Sequence, residues 1–142
     1  MSNKNLVSIV LVCVVLSAMS VVGCNKSSGP DTYEVSGTLT HNGEPIAQME
    51  VIFLPEDTGL YRESLAITDA EGKFTMMYTN KLEGVAPGSN TVYVRDPASI
   101  NGDQTSTEAS YVAVLEKYGD PATSPMKVTI EDDQVEYELK LD

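Results

Sequence analysis

Five kinds of side chain occur here at spacings that could do chemistry. Cys24 is one of two cysteines and directly follows Val21-Val22-Gly23 at the end of an apolar run, so its thiol sits where a chain could be processed or modified. Acids gather in Asp69-Ala70-Glu71-Gly72 and in Glu131-Asp132-Asp133. A hard cation wants about six or more oxygens, and the Asp69-Glu71 turn offers too few; at Glu131-Asp132-Asp133 calcium binding is the alternative to a solvated turn. The expected role of Asp69 is therefore to bond its own turn amides, and 131–134 is expected to be a solvated hairpin tip. Ser64 and Ser110 have no basic partner nearby that could take a proton and make them nucleophiles. His41 is the only histidine and stands beside Asn42-Gly43, a surface turn position rather than a ligand position. Tyr61, Tyr78, Tyr93 and Tyr111 could stack sugars on flat aromatic platforms, although tryptophan is absent. Tyr78 and Tyr93 equally suit strands that pack against a helix. Nothing in this set forms a catalytic constellation, so the chain is expected not to be an enzyme and to need no cofactor or metal.

The segment before Cys24 explains its position. Lys4 is the only charge before Lys26, and 6–23 is apolar and β-branched with a small residue at its end. A positive start, an apolar stretch and a small residue before a break make an export signal. The alternative is an uncleaved membrane helix. Residues 6–23 sit at the lower limit of the roughly 20 residues that a span needs, and Ser8, Ser17 and Ser20 dilute the run. A plain cysteine is the other alternative; its place at the end of the apolar run argues against that.

Val21, Val22, Gly23 and Cys24 resemble, position by position, the lipobox of bacterial lipoproteins. The resemblance implies cleavage between Gly23 and Cys24, a thioether diacylglycerol on Cys24 and an acylated new amino group. Gly23 leaves the scissile bond uncovered. More than one acyl chain is needed because a single chain, at roughly 0.8 kcal/mol per buried methylene, binds only marginally. The partner implied at this end is the membrane, with the domain outside the cytoplasm, lipid-anchored at the cell membrane or outer membrane. In the family's sorting rule an Asp after the Cys retains a lipoprotein in the inner membrane; Asn25 stands there instead, which leans toward the outer membrane.

The division expected is a signal peptide over 1–23, a flexible tether over 24–32 and one domain over 33–142. Cys13 leaves with the signal, so no disulfide staples the domain and packing alone holds it. The whole chain carries a net charge of −12, and losing Lys4 makes the remainder one charge more negative. Such a field repels nucleic acid and anionic membrane surfaces. It otherwise serves solubility.

Within the domain, apolar and polar residues alternate over 33–40, then Asn42-Gly43 gives the strongest two-residue hairpin signal. A second strand is expected over 48–54, with Met49, Val51 and Phe53 on one face and Glu50, Ile52 and Leu54 on the other. Further strands are expected over 65–68, 73–79, 91–95, 127–130 and 135–141, with 96–104 irregular. Thr105 and Glu108 have capping-box spacing. Tyr111, Leu115 and Tyr118 follow at i, i+4 and i+7, and Gly119 and Pro121 end the segment, which predicts a helix of about three turns. Val112-Ala113-Val114-Leu115 could alternatively be a strand. Seven short strands with turn signals between them suggest an antiparallel sandwich.

Several of these residues line up with one family. Val35-Ser36-Gly37-Thr38-Leu39, Asn42-Gly43-Glu44-Pro45-Ile46 and Val51-Ile52-Phe53 resemble the opening of carboxypeptidase-regulatory-like and transthyretin-like domains. Thr68-Asp69-Ala70-Glu71-Gly72-Lys73-Phe74 resembles that family's turn, and Pro87-Gly88 before Val92-Tyr93-Val94 follows in order. Lys117-Tyr118 and Ser124-Pro125 look like the tail of small envelope lipoproteins that carry this domain alone. Gln48-Met49 departs from the pattern, where small residues are usual. The resemblance implies a seven-stranded, antiparallel, prealbumin-like β-sandwich with one short helix, used as a structural or binding module with an envelope protein or a glycan as partner. A transthyretin-like hydrolase would need several His, an Arg and a Tyr-Arg-Gly-Ser sequence; this chain has one His and carries Lys140-Leu141-Asp142 at that place.

Overall fold

The computed structural model describes residues 30–102, 106–133 and 135–142. Residues 1–23, the tether before Pro30, Cys24, Thr105 and Gln134 lie outside them. The described chain is mainly β. Its elements in order are β1 (Val35–His41), β2 (Glu44–Pro45), β3 (Glu50–Pro55), β4 (Ser64–Ile67), β5 (Lys73–Thr75), β6 (Met77–Thr79), β7 (Leu82–Glu83), β8 (Gly88–Arg95), α1 (Pro97–Asn101), α2 (Ala109–Tyr118), β9 (Lys127–Ile130) and β10 (Val135–Leu141). Among the described residues no helix is long and apolar enough to cross a membrane.

The strands form two sheets. In one, β1 is central, with β10 on one side and β2 and β5 on the other. In the other, the order is β7-β6-β4-β3-β8-β9. Alternation decides what each face buries. Val35 and Leu39 on β1, Val51 and Phe53 on β3, Val92 and Val94 on β8, and Leu139 and Leu141 on β10 join one apolar core with Met49, Phe74 and Met76. Val114 and Tyr118 of α2 close it at one end. The expected division of the 48–54 face therefore holds for Met49, Val51 and Phe53.

Local turn chemistry is as its residues dictate. Asn42 (φ 50°) and Gly43 (φ 83°) both take left-handed backbone, and His41 pairs with Glu44 across the turn. Asn tolerates this conformation and Gly takes it freely, which is why the pair makes a tight hairpin whose twist suits the strands. The Asp69 carboxylate accepts from the Glu71 amide at 3.0 Å and the Lys73 amide at 2.8 Å, so it is spent on its own turn.

Long-range pairing departs from the expectation in three places. The fold is not wholly antiparallel: β1 and β10 pair in parallel, Val35 opposite Val135 and His41 opposite Leu141. These are the first and last strands of the domain, and no hairpin constrains their direction. Residues 73–79 do not form one strand. β5 pairs with β1, β6 pairs with β4, and Met76 lies buried between them with its amide donating to the Val35 carbonyl at 2.9 Å. The chain thus steps from one sheet to the other at Met76. Residues 131–133 are likewise no hairpin tip, because β9 pairs with β8 and β10 with β1 in the other sheet. Asp133 is used structurally there, its carboxylate accepting from the Glu34 amide at 3.2 Å.

Two helical features also differ. Residues 97–101, expected to be irregular, form α1. Asp96 is its N-cap, accepting from the Ala98 amide at 2.9 Å, and Pro97 occupies the first turn, where its missing N–H costs nothing. The segment 112–115 is helical, within α2, but Glu108 is the N-cap of α2 and makes no side-chain cap bond, so it does not complete a capping box.

Candidate functional site

Chemically varied side chains collect at one end of the domain. β1 runs from the Tyr33 entry point to the Asn42-Gly43 hairpin. Seven residues at about 3.3 Å each put the hairpin roughly 20 Å from where the chain enters the sheet. α1 and α2 are at this far end. α2 is held there by its buried side chains, Val114 and Tyr118, with Tyr111 and Leu115 packed beside them. The Tyr118 hydroxyl donates to the Asp142 carbonyl at 3.2 Å, and the Lys117 ammonium donates to the same carbonyl.

Three grooves surround α2. The first, about 430 Å³, lies between the hairpin and the start of the helix and is lined by His41, Glu44, Ile46, Glu108, Ser110 and Tyr111. The second, about 460 Å³, runs between α1 and Tyr111 past Gln48, Asp96 and Asn101. The third, about 520 Å³, has a floor of Val94, Val112 and Leu115 and a rim that includes Arg95, Glu116 and Asp120. Tyr111 separates the first two. Its hydroxyl donates to the Gln48 carbonyl at 3.1 Å. Gln48 itself holds a left-handed backbone (φ 57°), with its amide donating to the Thr68 carbonyl at 3.0 Å. Such backbone costs a non-glycine residue about 1–2 kcal/mol. The surrounding bonds hold Gln48 in it.

Electrostatics at this end are acidic and constrained. Asp96 is buried, and its second carboxylate oxygen accepts from the Ser106 amide at 3.4 Å. Burial, then the Asp96 charge, pushes the Tyr111 phenol up to about 12. Tyr93, on the outer face of β8, is also pushed up to about 12, first by burial and then by its 3.0 Å hydrogen bond to Glu63. Beside it, Arg95 Nε donates to Glu50 Oε2 at 2.7 Å, and that bond raises the guanidinium further. The outer face thus carries a covered ion pair next to Ile52, which is fully buried.

These two phenols give the fold an alkaline limit. Their ordinary value is 10.0 and their folded value about 12, so folding favours the neutral form. Their stabilisation is complete below pH 10 and is lost as pH rises through about 12. The melting temperature is expected to fall between pH 10 and 12, and to fall less steeply in the Tyr93→Phe, Tyr111→Phe protein. Identical slopes for the two proteins would remove this assignment.

The residues singled out by sequence are dispersed. Cys24 lies outside the described residues. His41 Nδ1 donates to the Leu141 carbonyl, and its Nε2 accepts from Asn42 Nδ2 at 3.0 Å. Both ring nitrogens therefore hold backbone or turn in place. Ser110 faces the first groove, whereas Ser64 is buried on β4 at the other end of the sheet. Tyr78 and Tyr93 are buried, and the Tyr78 hydroxyl accepts from the Arg62 amide at 3.2 Å. With Tyr93 and Tyr111 also bonded, three of the four tyrosines use their hydroxyls within the fold. Among the described residues no three His, Cys, Asp or Glu side chains approach closely enough to hold a metal ion.

What the sequence reading missed is the third groove and the Glu50–Arg95 pair. Asp96-Pro97 was a readable signal for α1, since Asp followed by Pro is a common N-cap and first-turn pair. Nothing local marks Val94, Leu115 and Asp120 as neighbours. Comparison with protein-family models, curated proteins and solved structures finds no match to this chain.

Proposed function

We propose that this chain is a lipid-anchored envelope protein whose β domain works by interaction rather than catalysis. The observation that carries the reading is Cys24 closing an apolar run directly after Val21-Val22-Gly23. The proposed anchor is acyl chains on Cys24. The proposed domain is a prealbumin-like sandwich, of the kind found in carboxypeptidase-regulatory-like modules. Two sheets around one core, the Asn42-Gly43 hairpin and the self-bonded Asp69 turn support that finer assignment.

Two features of the domain favour a non-catalytic role. The groups with the most chemical potential are spent on structure: His41 on Leu141 and Asn42, Asp69 on its turn, and Asp96 on α1. The three larger grooves lie at the α2 end, whereas Tyr33 bridges Val85 at the other, beside a smaller groove of about 220 Å³ between Glu34 and Glu83. A tether leaving beside Tyr33 would hold the three larger grooves away from the bilayer.

The test is fatty-acid incorporation. Cells expressing the full chain are fed an alkyne fatty acid, and the purified protein is examined for label and N-terminal mass. The wild type is expected to carry label on a chain that begins at Cys24, and Cys24→Ser to carry none. An unlabelled wild type, or equal label in Cys24→Ser, would overturn the anchor.

A further inference from the structure

The third groove is the most apolar of the concave surfaces around α2, and its surroundings specify a partner. Val94 lies buried at its floor, with Val112 and Leu115 of α2 above it. Val112 stays 38% exposed, and Ile100, next to Ser99 in the opposite wall, stays 57% exposed. α1 buries none of its residues. A small apolar surface rimmed by charge suits contact with a short peptide segment.

The rim is acidic. Glu116, in the last turn of α2, and Asp120, just past its end, are both exposed. Among the described residues neither pairs with a base. Asp120 Oδ1 accepts from the Ala122 amide at 2.8 Å, a bond that leaves its charge unneutralised. On the opposite wall Arg95 is engaged with Glu50, which offsets its charge. The whole chain adds a net −12 to this local field.

We infer that this groove docks a short basic segment of a partner protein. Its Leu- or Val-sized side chains rest on Val112 and Leu115, over the buried Val94, and its Lys or Arg residues pair with Glu116 and Asp120. The ten residues of α2 make a wall of about 15 Å, which matches about five residues of extended chain. A second copy of this chain is a poor occupant, because its own surface is strongly acidic and like charges facing each other are costly. An anionic bilayer and nucleic acid are excluded by the same sign. The long-range field would speed encounter with a cationic segment. The inference rests on the reading of the domain as an interaction module, and not on the anchor at Cys24.

The test uses the full chain in zwitterionic nanodiscs, with empty nanodiscs as the blank. Three labelled peptides serve as probes: one alternating Lys with Leu, one with Glu in place of Lys, and one with Ser in place of Leu. The Lys-Leu peptide is expected to bind, more weakly as salt rises. Val112→Gln and the pair Glu116→Lys, Asp120→Lys are each expected to weaken it by about tenfold. Leu60→Gln, a change to an exposed side chain in the loop between β3 and β4 at the opposite end of the sheet, is expected to leave it unchanged. Melting curves confirm that the variants remain folded. Binding no stronger than to empty nanodiscs, equal binding of the Glu-Leu peptide or the Lys-Ser peptide, or binding indifferent to both groove variants would overturn the inference. Peptide binding that survives while Cys24 takes no fatty acid would overturn the anchor alone.

Discussion

Phe53→Ala is expected to destabilise the domain by about 3–5 kcal/mol. Phe53 is fully buried in the middle of β3, where Ser64 of β4 pairs on one side and Val92 of β8 on the other. Its ring meets Tyr137 of β10 edge-on, with centroids 6.3 Å apart and planes at 63°. It therefore joins the two sheets, and truncation removes that contact and leaves a cavity between them. Typical domains have only about 5–15 kcal/mol in total, and no disulfide is available to this one. Leu54, half-buried and pointing to the opposite face of the same strand, is the control. Urea unfolding should show a large loss of midpoint for Phe53→Ala and a small one for Leu54→Ala. Equal shifts would mean that Phe53 does not couple the sheets.

Gly37→Ala is expected to cost about 3 kcal/mol, at the upper end for an added methyl in a packed site. A Cβ at Gly37 would lie 2.2 Å from the Tyr137 carbonyl oxygen of β10 and 2.7 Å from Cζ of Phe74. The first neighbour is backbone and cannot turn aside. The second is a buried core ring. Relief requires β1 and β10 to separate, so the damage should concentrate on the parallel pair. Hydrogen exchange on the intact chain should show protection lost over 135–141 while β3 and β8 retain theirs. A Gly37→Ala protein with unchanged exchange in β10 would contradict the β1–β10 register.

Much of the domain was legible because its signals are local. A period of two over 48–54 separates Val51 and Phe53 from Ile52 whichever sheet receives the strand. Asn42-Gly43 makes its turn from two adjacent backbone preferences, and Asp69 reaches amides two and four residues away. The apolar spacing of Tyr111, Leu115 and Tyr118 specifies a helix face without reference to what it meets. α1 was missed because five residues hold too little periodicity to register, although Asp96-Pro97 marked its start.

The remainder depended on partners distant in the chain. Phe74, Met76 and Tyr78 recur with a period of two, yet Met76 turns the chain between sheets because β1 and β4 each claim one half of the segment. The direction of β10 is decided by β1, a hundred residues earlier in register, and no turn couples the two. The tyrosines could be read as exposed platforms only until the sheet and its flanking loops covered Tyr78 and Tyr93. In the groove, Val94, Val112 and Asp120 come from one strand, one helix and the loop after it.

By itself, then, the sequence determined the apolar run closed by Cys24, the acidic character, the positions of most strands and the face that 48–54 would bury. Those follow from composition, short-range sterics and side-chain period. Only the tertiary structure decided the parallel closure of β1 on β10, the step between sheets at Met76 and the exposed Val112 beside an acidic rim. Those depend on which surfaces remain after every long-range pairing has been made.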